Sequence, residues 1–229
     1  MNTTARRGRT LVFDVNETLL DIEVLNPFFE RAFGDSRAMR QWFAELILYS
    51  EALTLSGNYT PFGPLAVAVL KMVAKLRQVE LKESDVEEFK STMAKLPPHR
   101  EVPEALEMLA SAGFRMVTLT NSASEAGKAS LVQAGLHDFF EHTFSVDDVA
   151  KFKPAKEVYT YVARTLSAQP SALRLIAAHT WDTLGALAAG YSAALVARPD
   201  NAPLAIGTQP DIVEPDLLRT ARRIVEIDR

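Results

Sequence analysis

The chain has 229 residues, 48% of them apolar and 24% charged, which excludes a disordered protein and leaves enough length to bury a core unaided. Its 25 Lys and Arg against 29 Asp and Glu leave a formal charge of −4, so no basic excess exists to bind nucleic acid by counterion release. With no cysteine there is no disulfide, thiolate nucleophile or Cys-ligated zinc, and no stretch approaches the ~20 apolar residues of a membrane span. The polar, basic stretch from Met1 to Arg9 is not followed by an apolar run of signal-peptide type, so a cytoplasmic protein is expected.

The first apolar run, Thr10 to Phe13, is short and β-prone and stops at Asp14, as a buried strand does. Residues 22 to about 97 then show no strand pattern. Met39, Trp42, Phe43, Leu46, Tyr49 and Leu53 have helical spacing, as do Leu65, Val69, Met72, Val73 and Leu76. Ser84 and Glu87 have the spacing of a capping box ahead of a helix through Phe89, Met93 and Leu96, which Pro97-Pro98 stops. Such an insertion is too long for an ordinary connection between a strand and the next element.

Further on, Glu104 to Ala112 reads as a helix, and Phe114 to Leu119 as a second strand. Ser122 and Glu125 suggest another capping box. A helical pattern from Pro154 follows, then a strand from Arg174 to Ala178. A helix from Asp182 to Ala189 and a strand from Ala193 to Ala197 complete the series. Alternation of this kind predicts an α/β fold: a doubly wound, Rossmann-like parallel-sheet core (1–20 plus 98–229) with an inserted helical cap domain (21–97).

In open α/β sheets, ligands bind beyond the carboxyl ends of the strands. The residues placed there are Asp14, Asn16 and Thr18 after the first strand, and Thr120 and Asn121 after the second. His179, Trp181 and Asp182 follow the third, and Lys153 precedes a helix carrying Tyr159. His99, His137 and His142 read as surface or loop residues. No metal-binding spacing such as H-E-x-x-H occurs, so neither metal nor cofactor is expected.

Four motifs occur in order: FDVNETLLD at 13–21, TLTNS at 118–122, KFKP at 151–154 and HTWDTLGA at 179–186. With the helical insertion after the first, they resemble the haloacid dehalogenase superfamily over essentially the whole chain. Phosphatases of that superfamily carry a second aspartate two residues after the nucleophile and an acidic magnesium ligand in the last motif. Asn16 and Ala178 stand at those places, and Asn16 has no titratable proton to give. The chain is more similar to the metal-free L-2-haloacid dehalogenases, in Arg40-Gln41 of the cap, Lys153 with Tyr159, and Trp181-Asp182.

The resemblance implies a short 2-haloacid as substrate and Asp14 as nucleophile, kept ionised by Lys153. Thr120 would clamp the substrate carboxylate, Arg40 and Asn121 would stabilise the halide, and Asp182 would position the hydrolytic water. Asn16, Thr18, Phe62, Tyr159, Trp181 and His179 complete the expected substrate site. Two departures stand out. Asn16-Glu17 replaces a Tyr-Gly pair, and Ala177-Ala178-His179 replaces Ser-Ser-Asn. His179 is expected to hold water or touch the leaving group. The alternatives are a phosphatase of small esters and a non-catalytic carboxylate binder. The apolar cap helices are compatible with a homodimer, and neither nucleic acid nor membrane is an expected partner.

Overall fold

A computed structural model of the chain describes residues 9–228; residues 1–8, most of the polar N-terminal stretch, lie outside the described residues, as does residue 229. Six parallel strands form one sheet. They are β1 (Thr10–Phe13), β2 (Met116–Thr120), β3 (His142–Ser145), β4 (Leu173–Ala177), β5 (Ser192–Val196) and β6 (Ile212–Glu214). Their order is β3-β2-β1-β4-β5-β6, so the chain winds outward from β1 in one direction, returns to β4, and winds outward in the other. The reversal leaves a crevice at the carboxyl ends of β1 and β4. β1, β2 and β4 are buried at every residue, which explains why most of their residues are apolar.

The two edge strands escaped the sequence reading. β3 exposes His142 and half-exposes Thr143, and β6 has three residues of which one is buried, so neither makes an apolar run. His142 is therefore a surface residue, as expected, but on an edge strand and not in a loop.

Between β1 and β2 lie α1 (Asn26–Phe33), α2 (Ala38–Ser56), α3 (Phe62–Leu76), α4 (Glu83–Met93) and α5 (Val102–Ser111). The first four meet around aromatic rings. Trp42 stands edge-on to Phe89 at 5.0 Å, lies 5.8 Å from Phe29, and donates its indole N–H to the Ala66 carbonyl at 3.0 Å. The helix at Phe89 begins two residues earlier than the expected capping box. Asp85, not Glu87, reaches back, accepting the Lys82 backbone N–H at 2.8 Å.

The remaining helices are α6 (Ser124–Gln133), α7 (Lys156–Thr165), α8 (Thr180–Ala188) and α9 (Leu217–Asp228). α6 starts without a side-chain cap, so the Ser122 box also fails; instead the Ser122 N–H is held by the Thr120 hydroxyl oxygen at 3.0 Å. α8 follows β4 directly, so Asp182 lies inside its first turn and is not its cap. α7 packs against α8, and α5 against α9. Gly185 permits the first of these contacts, because a Cβ there would meet Pro154 Cβ and the Tyr159 hydroxyl, each at 2.6 Å. Among the described residues, no helix is long and apolar enough to cross a membrane.

Candidate active site

At the end of β1 the Asp14 N–H donates to the Ile176 carbonyl of β4 at 3.0 Å, and the Asp14 side chain stands at the sheet's carboxyl edge. The Thr18 hydroxyl donates to Asp14 Oδ2 at 2.6 Å and accepts the Ala178 N–H at 2.8 Å, tying the two strand ends together. Lys153 Nζ spends its three protons on Asp14 Oδ1 (2.7 Å), Asp182 Oδ2 (2.6 Å) and the Leu119 carbonyl (3.2 Å). Tyr159 donates its hydroxyl to Asp182 Oδ1 at 2.6 Å. Lys153, Tyr159 and Asp182 are completely buried, so only this dense pairing offsets their desolvation. Asn121 accepts the Lys153 backbone N–H at 3.1 Å and fixes the segment that carries the lysine.

The charges follow from this geometry. Burial pushes the Asp14 carboxyl up, but the Lys153 ammonium and the nearby His179 outweigh it and hold Asp14 well below the usual carboxylate range. Lys153 titrates above its ordinary value, because its two carboxylates outweigh its burial. Asp182 is raised, chiefly by burial, despite Lys153. Of the two carboxylates, Asp14 is the one held firmly as an anion.

A second set of charges flanks Asp14 on its Oδ2 side. His179 Nδ1 lies 3.3 Å from Asp14 Oδ2, an ion-pair contact without hydrogen-bond alignment, so Nδ1 has no hydrogen-bond partner. Its Nε2 meets Glu17 Oε2 at 2.7 Å. Glu17 is buried, with a left-handed backbone (φ 65°), in the place where the family pattern has glycine. Its other oxygen pairs with Arg40 of α2, which also reaches Glu23 at 3.2 Å and Asp200 at 3.5 Å. Arg40 thus lies two side chains away from Asp14. Burial depresses the His179 pKa, but Asp14 and Glu17 reverse this and raise it to about 9, so the imidazole is cationic at neutral pH.

Glu17 is the one functional candidate the sequence reading missed, and its occupation of a glycine position was the available signal. His99, read as a surface residue, is half-buried and donates Nε2–H to the Glu17 carbonyl at 2.9 Å. Trp181 stacks on His179 at 4.9 Å and 16°, and the Lys153 ammonium lies 5.6 Å from the Trp181 ring centre. Thr120 is buried, and its oxygen serves the turn at Ser122. Asn16 Nδ2 reaches Ser122 Oγ at 3.5 Å and, with Phe62, lines an apolar cavity of about 730 Å³ that also touches Val67, Phe89 and Met93.

A family model for haloacid dehalogenase-like hydrolases matches residues 9–190. The chain belongs to the haloacid dehalogenase-like hydrolases. It is 27% identical over 207 residues to (S)-2-haloacid dehalogenase 2 of Pseudomonas sp. (strain CBS-3), covering 90% of each chain. It is 29% identical over 199 residues to the (S)-2-haloacid dehalogenase of Xanthobacter autotrophicus, covering 86% of this chain and 78% of the relative. The solved structure of L-2-haloacid dehalogenase from Xanthobacter autotrophicus superposes with a TM-score of 0.88 at 25% identity, over 96% of this chain and 99% of that one. Magnesium-dependent members of this superfamily need several oxygen ligands around a cation. The residues of this hydrolase do not fit one. Lys153 Nζ already bridges Asp14 and Asp182, Ala178 offers no ligand, and the described residues include no group of three or more potential ligands able to hold a metal.

Proposed function

We infer that this hydrolase displaces halide from short 2-haloacids without a metal, forming an ester on Asp14 that water then cleaves to the 2-hydroxyacid. The observation that carries the reading is Lys153, a buried cation hydrogen-bonded to both Asp14 and Asp182. It keeps Asp14 ionised and supplies internally the positive charge that a divalent ion would bring. The Asp14 carboxylate attacks the carbon bearing the halogen in line, the carbon–halogen bond breaks, and halide departs with the electron pair. In this reading the side-chain N–H groups of Asn121 receive it, the Asn121 oxygen being spent on the Lys153 N–H. A single displacement at that carbon inverts it. The haloacid dehalogenase relatives support the substrate class and the L enantiomer.

The reading extends to a cytoplasmic homodimer, the dimer supported by exposed Leu48, Leu55 and Leu76 on α2 and α3. The test is halide release from chloroacetate and from each enantiomer of 2-chloropropionate, in the presence of EDTA. Release from L-2-chloropropionate with D-lactate as product is expected. No release from any of the three would remove the dehalogenase reading.

A further inference from the structure

The flank of Asp14 formed by His179 and Glu17 contains a buried imidazole with one nitrogen spent and the other unpartnered beside the Asp14 carboxylate. Glu17 binds Nε2 at 2.7 Å, and Nδ1 faces Asp14 Oδ2 at 3.3 Å with no hydrogen-bond partner. The charged groups facing this ring are Asp14 and Glu17 from the loop after β1. Arg40 of α2 reaches it through Glu17, and Lys153 through Asp14. Trp181 stacks on the ring and Phe43 of α2 lies tilted against it at 5.4 Å, and among the described residues only Asp14 and Glu17 make ionic contact with it. By contrast both oxygens of Asp182 are engaged, one by Lys153 and one by Tyr159.

We propose that His179 is the general base that cleaves the Asp14 ester, with Glu17 as the positioning residue that fixes its ring. The proposal rests on the ester reading above. It replaces Asp182 as the group that activates water.

The physical argument is a change of charge during turnover. In the resting enzyme Asp14 is an anion and helps hold the proton on His179, which would block it as a base. Once Asp14 is alkylated it is a neutral ester, and that anion is gone. Burial then favours the neutral imidazole, opposed by Glu17 alone. The step meant to follow alkylation is therefore enabled by alkylation.

The bonds balance without a further reagent. After alkylation the imidazolium gives up its Nδ1 proton to solvent. Neutral Nδ1 then accepts a proton from water as its oxygen bonds to Asp14 Cγ. The tetrahedral intermediate collapses with cleavage of the Cγ–O bond to the substrate carbon. The departing alkoxide takes the proton from His179, leaving the 2-hydroxyacid and a free Asp14 acid group whose proton passes to the imidazole and restores the resting ion pair. An ordered base of this kind typically contributes a rate factor of roughly 10²–10⁴.

Two measurements test the inference. In the first, His179→Gln and His179→Asn are mixed with L-2-chloropropionate in a single turnover, and halide and the mass of the Asp14 peptide are followed. A burst of one halide per site with a persistent ester is expected, its hydrolysis at least about a hundredfold slower than in the wild type. Glu17→Gln should move the pH limb of ester hydrolysis to lower pH while the halide burst remains. Hydrolysis as fast as in the wild type, or loss of the halide burst itself, would overturn the proposal. The second measurement needs no substrate. NMR titration of His179 should show its proton lost at a pH lower by at least about one unit in Asp14→Asn, whose side chain is neutral like the ester. An unchanged titration would overturn the proposal. Absence of any halide release from the wild type would defeat the dehalogenase reading and the inference with it, whereas an unchanged titration with halide release intact would defeat the inference alone.

Discussion

The two flanks of Asp14 are built from the same kinds of group and work differently. On one side Lys153, Asp182 and Tyr159 form a closed network with every proton spent, all of it buried. On the other, His179 carries a charge that Asp14 and Glu17 support, and one nitrogen is left unpaired. The first flank fixes Asp14 as an anion, and in the proposal above the second responds to its alkylation. A permanent charge suits attack on carbon, whereas a proton that can leave suits the hydrolysis that follows.

The strongest way to break this comparison is to remove the group both flanks share. Asp14→Asn should lower steady turnover by at least about a thousandfold, since no ester can form. Halide release at the wild-type rate would contradict the nucleophile. Next comes Lys153→Met, which leaves Asp14 and Asp182 buried without their cation. A loss of about 3–5 kcal/mol in urea unfolding at neutral pH is expected, together with loss of activity. A protein of unchanged stability would show that the Lys153 flank is not a closed charge network.

The His179 flank makes a smaller prediction, with a sign. A group whose pKa rises on folding adds stability that is complete below its unfolded value and disappears as pH rises through the folded one. For His179 that window runs from 6.5 to about 9. Wild type should therefore lose its stability advantage over His179→Gln between those pH values, read from urea midpoints at a series of pH. A pH-independent difference would mean that the imidazole is not charged in the resting protein. The smallest effect is expected from Tyr159→Phe, which removes one hydrogen bond to Asp182. It should cost about 1.5–3 kcal/mol of stability and leave the pH window of His179 where it is.

The Lys153 flank was readable in the sequence because its members sit in motifs at strand ends or helix starts, where an α/β sheet must bring them together. Asp14, Thr18, Lys153, Tyr159 and Asp182 were all expected at one edge, and all lie in one hydrogen-bonded cluster. The other flank was half legible. His179 stood out as a departure from the family pattern, but a glutamate in a loop ordinarily reads as a solvated charge. Only its place at a glycine position hinted at Glu17, and only coordinates show the left-handed backbone that seats it beside His179. Arg40 was read as a halide ligand from its place in the cap, and no one-dimensional pattern could show that Glu17, Glu23 and Asp200 surround it.

Elements outside the site were hidden for other reasons. β6 and α9 lie beyond the last motif. α9 is held by a buried Arg174 on β4, which pairs with Asp228 at the far end of the chain and donates to the Ala193 carbonyl at 3.1 Å. An arginine inside an apolar strand looks like an interruption until its distant partner is seen. The two failed capping boxes show the opposite error. The Ser-x-x-Glu spacing is present at 84–87 and 122–125, but the helices start elsewhere, because Asp85 and the Thr120 turn satisfy the backbone first.

The central claim is that Asp14, not water, attacks the substrate carbon. A single turnover with excess enzyme over L-2-chloropropionate, run in heavy-oxygen water with EDTA present, tests it most directly. The account predicts that the heavy oxygen enters the Asp14 side chain, while the hydroxyl oxygen of the product is the light one taken from the enzyme. Heavy oxygen appearing in the product of that first turnover, with none in the Asp14 peptide, would contradict it.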